Sequence, residues 1–307
     1  TQPYKNPKDK RVKKLIESLN RNNSVAHVIF SSSTQEDCDN FYGQSKKEGR
    51  KLLIDWTKKS GGIFTGLVIP NVFGPFGNPY YNSVVATFSH QLTHNEKPKI
   101  DLDGRLKLIY VGELINEIYR VILDAKGCPE LKLDYTSEIK VSELLEKLNS
   151  YKDQYLNNGA IPELNTTFEK NLFNTYRSYI DYKSFFPYNL KQHVDDRGTF
   201  VEIIRTLSSG QVSSSTTKPG LTRGNHFHTR KIERFTVIKG KALIRIRRIG
   251  TNNILDFKLD GDKPAFVDMP IWYTHNITNI GSDDLYTQFW TNEFYDSSKS
   301  DTYFEKV

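Results

Sequence analysis

The sequence predicts a chain of two classes, an α/β half followed by an all-β half. Three observations carry that expectation. Its 307 residues suit about two domains of ordinary size. Through roughly residue 150, short apolar runs alternate with amphipathic segments, as in a parallel sheet covered by helices. From about Val194 the apolar period becomes two and turn signals recur, as in a sandwich or barrel. The expected domains are 1–188 and 189–307.

The elements follow in order. Val12, Leu15, Ile16 and Leu19 fall on one helical face. An apolar strand at Val25–Phe30 runs into Ser31-Ser32-Ser33. A helix is expected over Tyr42–Lys59, with Leu52, Leu53 and Trp56 as its stripe, and a strand over Ile63–Ile69. Leu114, Ile115, Ile118 and Ile122 mark another helix, and Leu144, Leu145 and Leu148 a further one. Residues 151–188 are rich in Asn, Tyr and Phe. Phe168, Leu172 and Tyr176 repeat every four there, which predicts a helical linker packing between the domains. In the all-β half, Ile244 and Ile246 alternate with Arg245 and Arg247. Turns are expected at Lys239-Gly240, Gly261-Asp262 and Gly281-Ser282.

Composition narrows the partners. Lys and Arg number 43 against 36 Asp and Glu, a net charge of +7. Spread along the chain, that excess suits an acidic small substrate better than a nucleic acid. No apolar run reaches the ~18 residues of a membrane helix, and TQPYKNPKDK lacks a leader's apolar core. Two cysteines, Cys38 and Cys128, make no disulfide framework, so a reducing cytoplasm is expected.

The strongest motif runs from Gly220 to Gly240. His226 and His228, two apart on a strand, point to one face and can share an ion. Glu233 follows after a turn, and His275 lies in Pro270-Ile-Trp-Tyr-Thr-His-Asn-Ile-Thr-Asn279. A set of three histidines and one glutamate suits several transition metals. This pattern resembles the cupin superfamily, and departs from its second motif only at Trp272, where glycine is usual.

The N-terminal half carries a second constellation. Tyr42 and Lys46, four apart, share a helix face nine residues after the serine run. An ammonium beside a phenol favours the phenolate, and a serine hydroxyl can bind the same carbonyl oxygen. Together they can protonate a ketone as hydride arrives. The arrangement resembles the extended short-chain dehydrogenase/reductase family, which implies Ser33, Tyr42 and Lys46 as catalytic residues and a Rossmann-like domain. Lys46 would also hold the nicotinamide ribose, and Pro70 and Asn71 fall in the family's cofactor-site element. No glycine-rich GxGxxG or GxxGxxG turn occurs in the sequence. These residues are therefore expected to lack the opening strands and the turn that seat a pyrophosphate.

Both halves together resemble the CapF-type capsular polysaccharide biosynthesis enzymes, through Tyr42-GQSK, Pro70-NVFG, Tyr81-NSVVATF, Val194-DDRGTF, Lys218-PGLTRGNHFH and Asp301-TYFEKV. The resemblance implies a cupin β-barrel or jelly roll with one zinc ion per cupin, NADPH as reductant, and a homodimer. It implies C3 epimerisation of a UDP-2-acetamido-2,6-dideoxy-hexos-4-ulose, then C4 ketone reduction, towards UDP-N-acetyl-L-fucosamine. Asn82, Lys218 and Arg223 are candidate substrate residues, with Arg230 a further diphosphate candidate and Tyr273 a candidate C3 base. Two other readings stand beside this one. They are a cupin epimerase or isomerase on an inactive Rossmann scaffold, and a non-catalytic cupin that binds metal or sugar.

Overall fold

The computed structural model describes residues 9–196 and 198–307. The segment that carried the leader expectation, residues 1–8, lies outside them. The described chain forms two compact units. One takes the residues up to Gly74 together with Ile100–Ser142, and the other takes Pro75–Lys99 and Glu143–Val307.

The chain opens with α1 (Asp9–Arg21), β1 (His27–Ser33), a 3-10 turn at Thr34–Asp37, α2 (Phe41–Ser60), β2 (Ile63–Ile69) and β3 (Asn71–Phe73). Then come α3 (Val84–Thr93), β4 (Arg105–Tyr110), α4 (Val111–Asp124), β5 (Cys128–Lys132), β6 (Ser137–Lys140) and α5 (Val141–Tyr151). In the first unit β1, β2 and β5 make a parallel sheet in the order β1-β2-β5. The three serines form the end of β1. Ser31, Ser32 and Ser33 pair with Leu67, Val68 and Ile69, because the ladder uses backbone groups and tolerates polar side chains. Helix α1 sets Val12 against Leu53 and Phe64, while α4 sets Leu114 against Leu67, Ile69 and Ile109. Helix α2 starts where Asn40 Oδ1 accepts from Gly43 N at 2.8 Å. Gly43 is required there, since a Cβ would stand 1.8 Å from the Gln35 carbonyl oxygen.

The second unit continues with a π-helical stretch at Lys152–Asn157, α6 (Thr167–Arg177) and α7 (Tyr182–Phe185). Its strands are β7 (Tyr188–Asn189), β8 (Gln192–Asp195), β9 (Gly198–Val201), β10 (Gln211–Thr217), β11 (Thr222–Phe227), β12 (Glu233–Lys239) and β13 (Lys241–Arg248). They are followed by β14 (Ile254–Asp260), β15 (Ala265–Met269), β16 (Tyr273–Asn279), β17 (Leu285–Thr291) and β18 (Tyr303–Phe304). Most of them form two five-stranded sheets, β10-β17-β12-β15-β7 and β14-β13-β16-β11-β18, with antiparallel neighbours. Strands β8 and β9 pair separately, and among the described residues the pairing closes no barrel. The expected turns at Gly240, Gly261 and Gly281 each join successive strands, and Ile244 and Ile246 are fully buried.

Residues 143–188, expected with the first domain, lie in the same compact unit as these sheets. A buried polar cluster accounts for this. Arg234 and Asp268 are paired in register on β12 and β15, and the guanidinium grips the carboxylate at 2.8 and 2.9 Å. Tyr155, from the π-helical stretch, donates its hydroxyl to Asp268 at 2.7 Å. Arg177, from α6, donates to the Met269 carbonyl at 3.3 Å. All four side chains are essentially inaccessible to water.

That arrangement makes Asp268 the buried counter-charge of two arginines. Asp268→Asn removes it, and breaking a buried pair costs about 3–5 kcal/mol. A denaturant titration should show that loss, and a midpoint equal to wild type would refute the assignment.

Candidate functional site

The sheet faces decide which side chains meet. Along β12, Glu233 and Phe235 point into a cavity of about 360 Å³, while Arg234 points to the opposite face. His226 and His275 are register partners on β11 and β16. Gly224 allows that approach, because a Cβ there would stand 2.7 Å from the His275 carbonyl oxygen, and its φ is +102°. His228 follows β11 directly. The ligand atoms of His226, His228, Glu233 and His275 all lie within 4.8 Å of one another.

Proton positions sharpen the picture. His228 Nδ1 lies against the Asp301 carbonyl oxygen, and His275 Nδ1 lies 3.2 Å from that of Tyr273. A carbonyl only accepts, so both Nδ1 atoms carry hydrogen and both Nε2 atoms carry lone pairs. These Nε2 atoms face Glu233 Oε2 at 3.0 and 3.3 Å. All three are buried and none makes a hydrogen bond. Three acceptors in mutual contact require a cation among them, either a proton or a metal ion. The groups respond accordingly. Burial pulls His228 down, but the Glu233 carboxylate and Asp301 outweigh it and leave the pKa raised. Burial would raise Glu233, yet the two imidazoles hold it far below the carboxylate range. Burial, then His275, brings His226 down to about 4, so it is a neutral ligand at pH 7. The donor set therefore fits one transition-metal ion.

The structure also sorts the other expected residues. Arg223 lines the cavity and donates to Thr217 Oγ1 and the Thr216 carbonyl at 3.1 and 3.0 Å. Lys218 is exposed beyond β10. Arg230 is committed elsewhere: it pairs with Glu293 at 3.1 Å and donates to the Lys299 carbonyl at 2.7 Å. Tyr273 does not line the cavity. Its ring packs edge-on against Tyr182, and burial raises its pKa, which disfavours a base at C3. Trp272 holds φ +63°, the left-handed conformation for which glycine is usual at that place. Sequence reasoning missed Lys231, which lines the cavity from between two ligands. It also missed the polar face of β10, where Gln211, Ser213 and Ser215 alternate at the period of two.

In the first unit, Lys46 and Tyr42 share a face of α2, with Nζ 5.7 Å from the phenol ring centroid. Lys46 Nζ also donates to the Ser31 carbonyl. Ser33 Oγ accepts from Gln35 N at 3.2 Å and so caps the 3-10 turn. Beneath them Glu36 is buried, accepting from Ser32 and from Arg50 at 2.7 to 3.1 Å. Pro70 is buried at the end of β2, and Asn71 is exposed at the start of β3. Asn82 belongs to the second unit, exposed at φ +53° just before Ser83 caps α3.

Comparison with known proteins matches the two halves of the chain to different families. Residues 13–130 match the NAD dependent epimerase/dehydratase family, and residues 193–303 match the polysaccharide biosynthesis C-terminal domain. The UDP-2-acetamido-2,6-beta-L-arabino-hexul-4-ose reductase of Pseudomonas aeruginosa is 34% identical over 292 residues, covering 94% of this chain and 78% of that protein. A crystal structure of the capsular polysaccharide assembling protein CapF from Staphylococcus aureus is 37% identical with a TM-score of 0.60, covering 96% of this chain and 82% of that one. A structure of CapF with the inhibitor 3-isopropenyl-tropolone is 34% identical with a TM-score of 0.55, covering 97% and 83%.

The Glu36 cluster sets an acid limit. Burial would raise Glu36, but the hydrogen bonds from Arg50 and Ser32 outweigh it and lower its pKa below the ordinary 4.5. Between the two values the unfolded chain binds the extra proton, so stability rises with pH there. The contribution should be complete above about pH 5 and vanish as pH falls through the folded value. The difference in unfolding free energy between wild type and Glu36→Gln, measured from pH 7 to pH 3, should therefore shrink on acidification. A constant difference would refute this.

Proposed function

This chain belongs to the family of the UDP-2-acetamido-2,6-beta-L-arabino-hexul-4-ose reductase, and on that premise we propose that it is a bifunctional nucleotide-sugar enzyme of capsule polysaccharide biosynthesis. The all-β half, read as a jelly-roll cupin beginning near residue 189, epimerises C3 of a UDP-linked 2-acetamido-2,6-dideoxy-4-keto sugar. The α/β half then reduces the C4 ketone with NADPH, towards UDP-N-acetyl-L-fucosamine. The cytoplasm, a homodimer and one zinc ion per chain complete the proposal.

The observation that carries the first step is the set of three buried acceptors around Glu233, on the wall of a cavity large enough for a sugar. Zinc held there by His226, His228, Glu233 and His275 would supply Lewis-acid stabilisation of the charge that develops on the C4 oxygen as the C3 proton leaves. Lys231 and Arg223 bring positive charge to the same wall, which suits an anionic diphosphate, and Lys218 stands nearby in sequence. The β10 hydroxyls offer hydrogen bonds to sugar oxygens. That a CapF structure holds a tropolone accords with this reading, since tropolone's adjacent oxygens are a chelating pair. For the second step Tyr42 donates the proton that the C4 oxygen takes as hydride reaches C4. Lys46 stabilises the phenolate that remains, and the Ser33 hydroxyl binds the same oxygen. On this reading Lys46, Pro70 and Asn71 would serve the cofactor, and Asn82 the substrate.

Metal analysis of protein purified without chelator should find about one zinc per chain, the number one complete ligand set holds. Less than a tenth of that would sink the metal site. The two steps should also separate by mutation. In the full-length enzyme, Tyr42→Phe should lower NADPH consumption by about 10²-fold or more, while solvent deuterium still enters C3. His228→Ala should do the reverse, slowing exchange at C3 but sparing reduction of an already epimerised substrate. Circular dichroism checks that each variant folds. Loss of C3 exchange in folded Tyr42→Phe would overturn the two-site scheme. C3 exchange without any NADPH oxidation in the full-length wild-type enzyme would favour an inactive reductase scaffold.

A further inference from the structure

We propose that Asp301, in the C-terminal strap, is the positioning residue that presets His228 to bind the ion. This rests on the reading that His226, His228, Glu233 and His275 hold a metal.

The strap returns to the ligands from both sides. Its strand β18 pairs with β11, placing Phe304 opposite His226 and Tyr303 opposite Phe227. Glu305 N donates to the Asn225 carbonyl at 3.0 Å, one residue before the first ligand. Asp301 works at the other end. Its side chain is wholly buried and accepts four hydrogen bonds. Thr229 N donates at 3.1 Å, Thr229 Oγ1 at 2.6 Å, and Arg230 N and Lys231 N each at 3.0 Å. One carboxylate thus fixes three consecutive amides of the turn that joins His228 to Glu233. The same residue's carbonyl oxygen accepts from His228 Nδ1, which dictates the tautomer and turns Nε2 towards the site. Doing both requires the backbone of Asp301 to hold φ +46°, a strained conformation for a non-glycine residue. Strain of this kind persists only where the surroundings fix it, and here Lys231 Nζ and Arg230 Nη2 grip the neighbouring Ser300 and Lys299 carbonyls.

Two substitutions separate positioning from simple folding support. Asp301→Asn keeps the size and adopts positive φ readily. However, its amide nitrogen confronts N–H donors with a further donor. Asp301→Ala removes every side-chain bond. Zinc affinity is read by competition with a chromophoric chelator, and ligand geometry by the visible spectrum of the cobalt(II)-loaded protein. Metal-free stability is read by denaturant titration. Both variants should bind zinc about 10–100-fold more weakly, the usual cost of losing a partner that orients a ligand. The cobalt spectrum should change in both. A role confined to folding would lower metal-free stability and leave affinity and spectrum unchanged, and that result in Asp301→Asn overturns the proposal even if Asp301→Ala does not fold. Wild-type protein that binds neither zinc nor cobalt overturns the metal reading, and this inference with it.

Discussion

Three lone-pair atoms share one buried space, and the architecture of the C-terminal unit is organised around that conflict. His228 Nε2, His275 Nε2 and Glu233 Oε2 cannot relax apart, because each is fixed from behind. Carbonyl oxygens hold both imidazoles, and Glu233 is locked into β12 by pairing with Met269 on one side and Thr291 on the other. A site built this way is preorganised. The free energy of gathering these side chains is met during folding, so the metal ion proposed there would not have to reorganise them. The turn into β16 adds a further tie, since Trp272 N donates to the His228 carbonyl at 2.8 Å. That bond ties His228 to the turn that leads, three residues on, to His275.

The opposite face of the same strand does different work. Alternation along β12 sends Glu233 inward and Arg234 outward, so adjacent residues serve the site and the packing of the π-helical stretch. Arg234 meets Asp268 and lies 3.5 Å over the Phe266 ring, which compensates a charge that burial would otherwise make costly. Register is therefore doubly constrained. A slip of one residue would place an arginine among histidines and a glutamate among buried aromatics.

Much of this was legible in the sequence because periodicity is local information. The spacing of His226 and His228 and the Ile244–Arg247 alternation translate directly into faces of a strand, and Tyr42 and Lys46 into a face of a helix. The histidine motif also exposed the exceptional Trp272, whose left-handed backbone explains why glycine is usual there. What stayed hidden depends on residues far apart in the chain. Tyr155 meets Asp268 across 113 positions, and Asp301 meets Thr229 across 72. Nothing near Arg230 announces that it serves the strap rather than a diphosphate, and nothing near Tyr273 announces that its ring turns towards Tyr182. The serine run was legible too: it ends the apolar strand, and backbone pairing with β2 extends through Ser33.

The two proposed chemistries ask for different environments, and the two units differ in the same sense. Removing a carbon-bound proton needs fixed charge in a dry cavity, where electrostatic stabilisation is strong. On the proposed reading, the buried His228, Glu233 and His275 between two sheets would supply that charge. Protonating a carbonyl as hydride arrives needs a phenol whose proton can be replenished, and Tyr42 and Lys46 are only half-buried near the start of α2. The sheet end they occupy matches the general rule that α/β sheets act at the carboxyl ends of their strands, since Ser33 closes β1 there. Gly43 makes that arrangement possible by letting the 3-10 turn approach the first turn of α2. One glycine thus links the serine of β1 to the tyrosine and lysine of α2, as one aspartate links the strap to the histidines of the other unit.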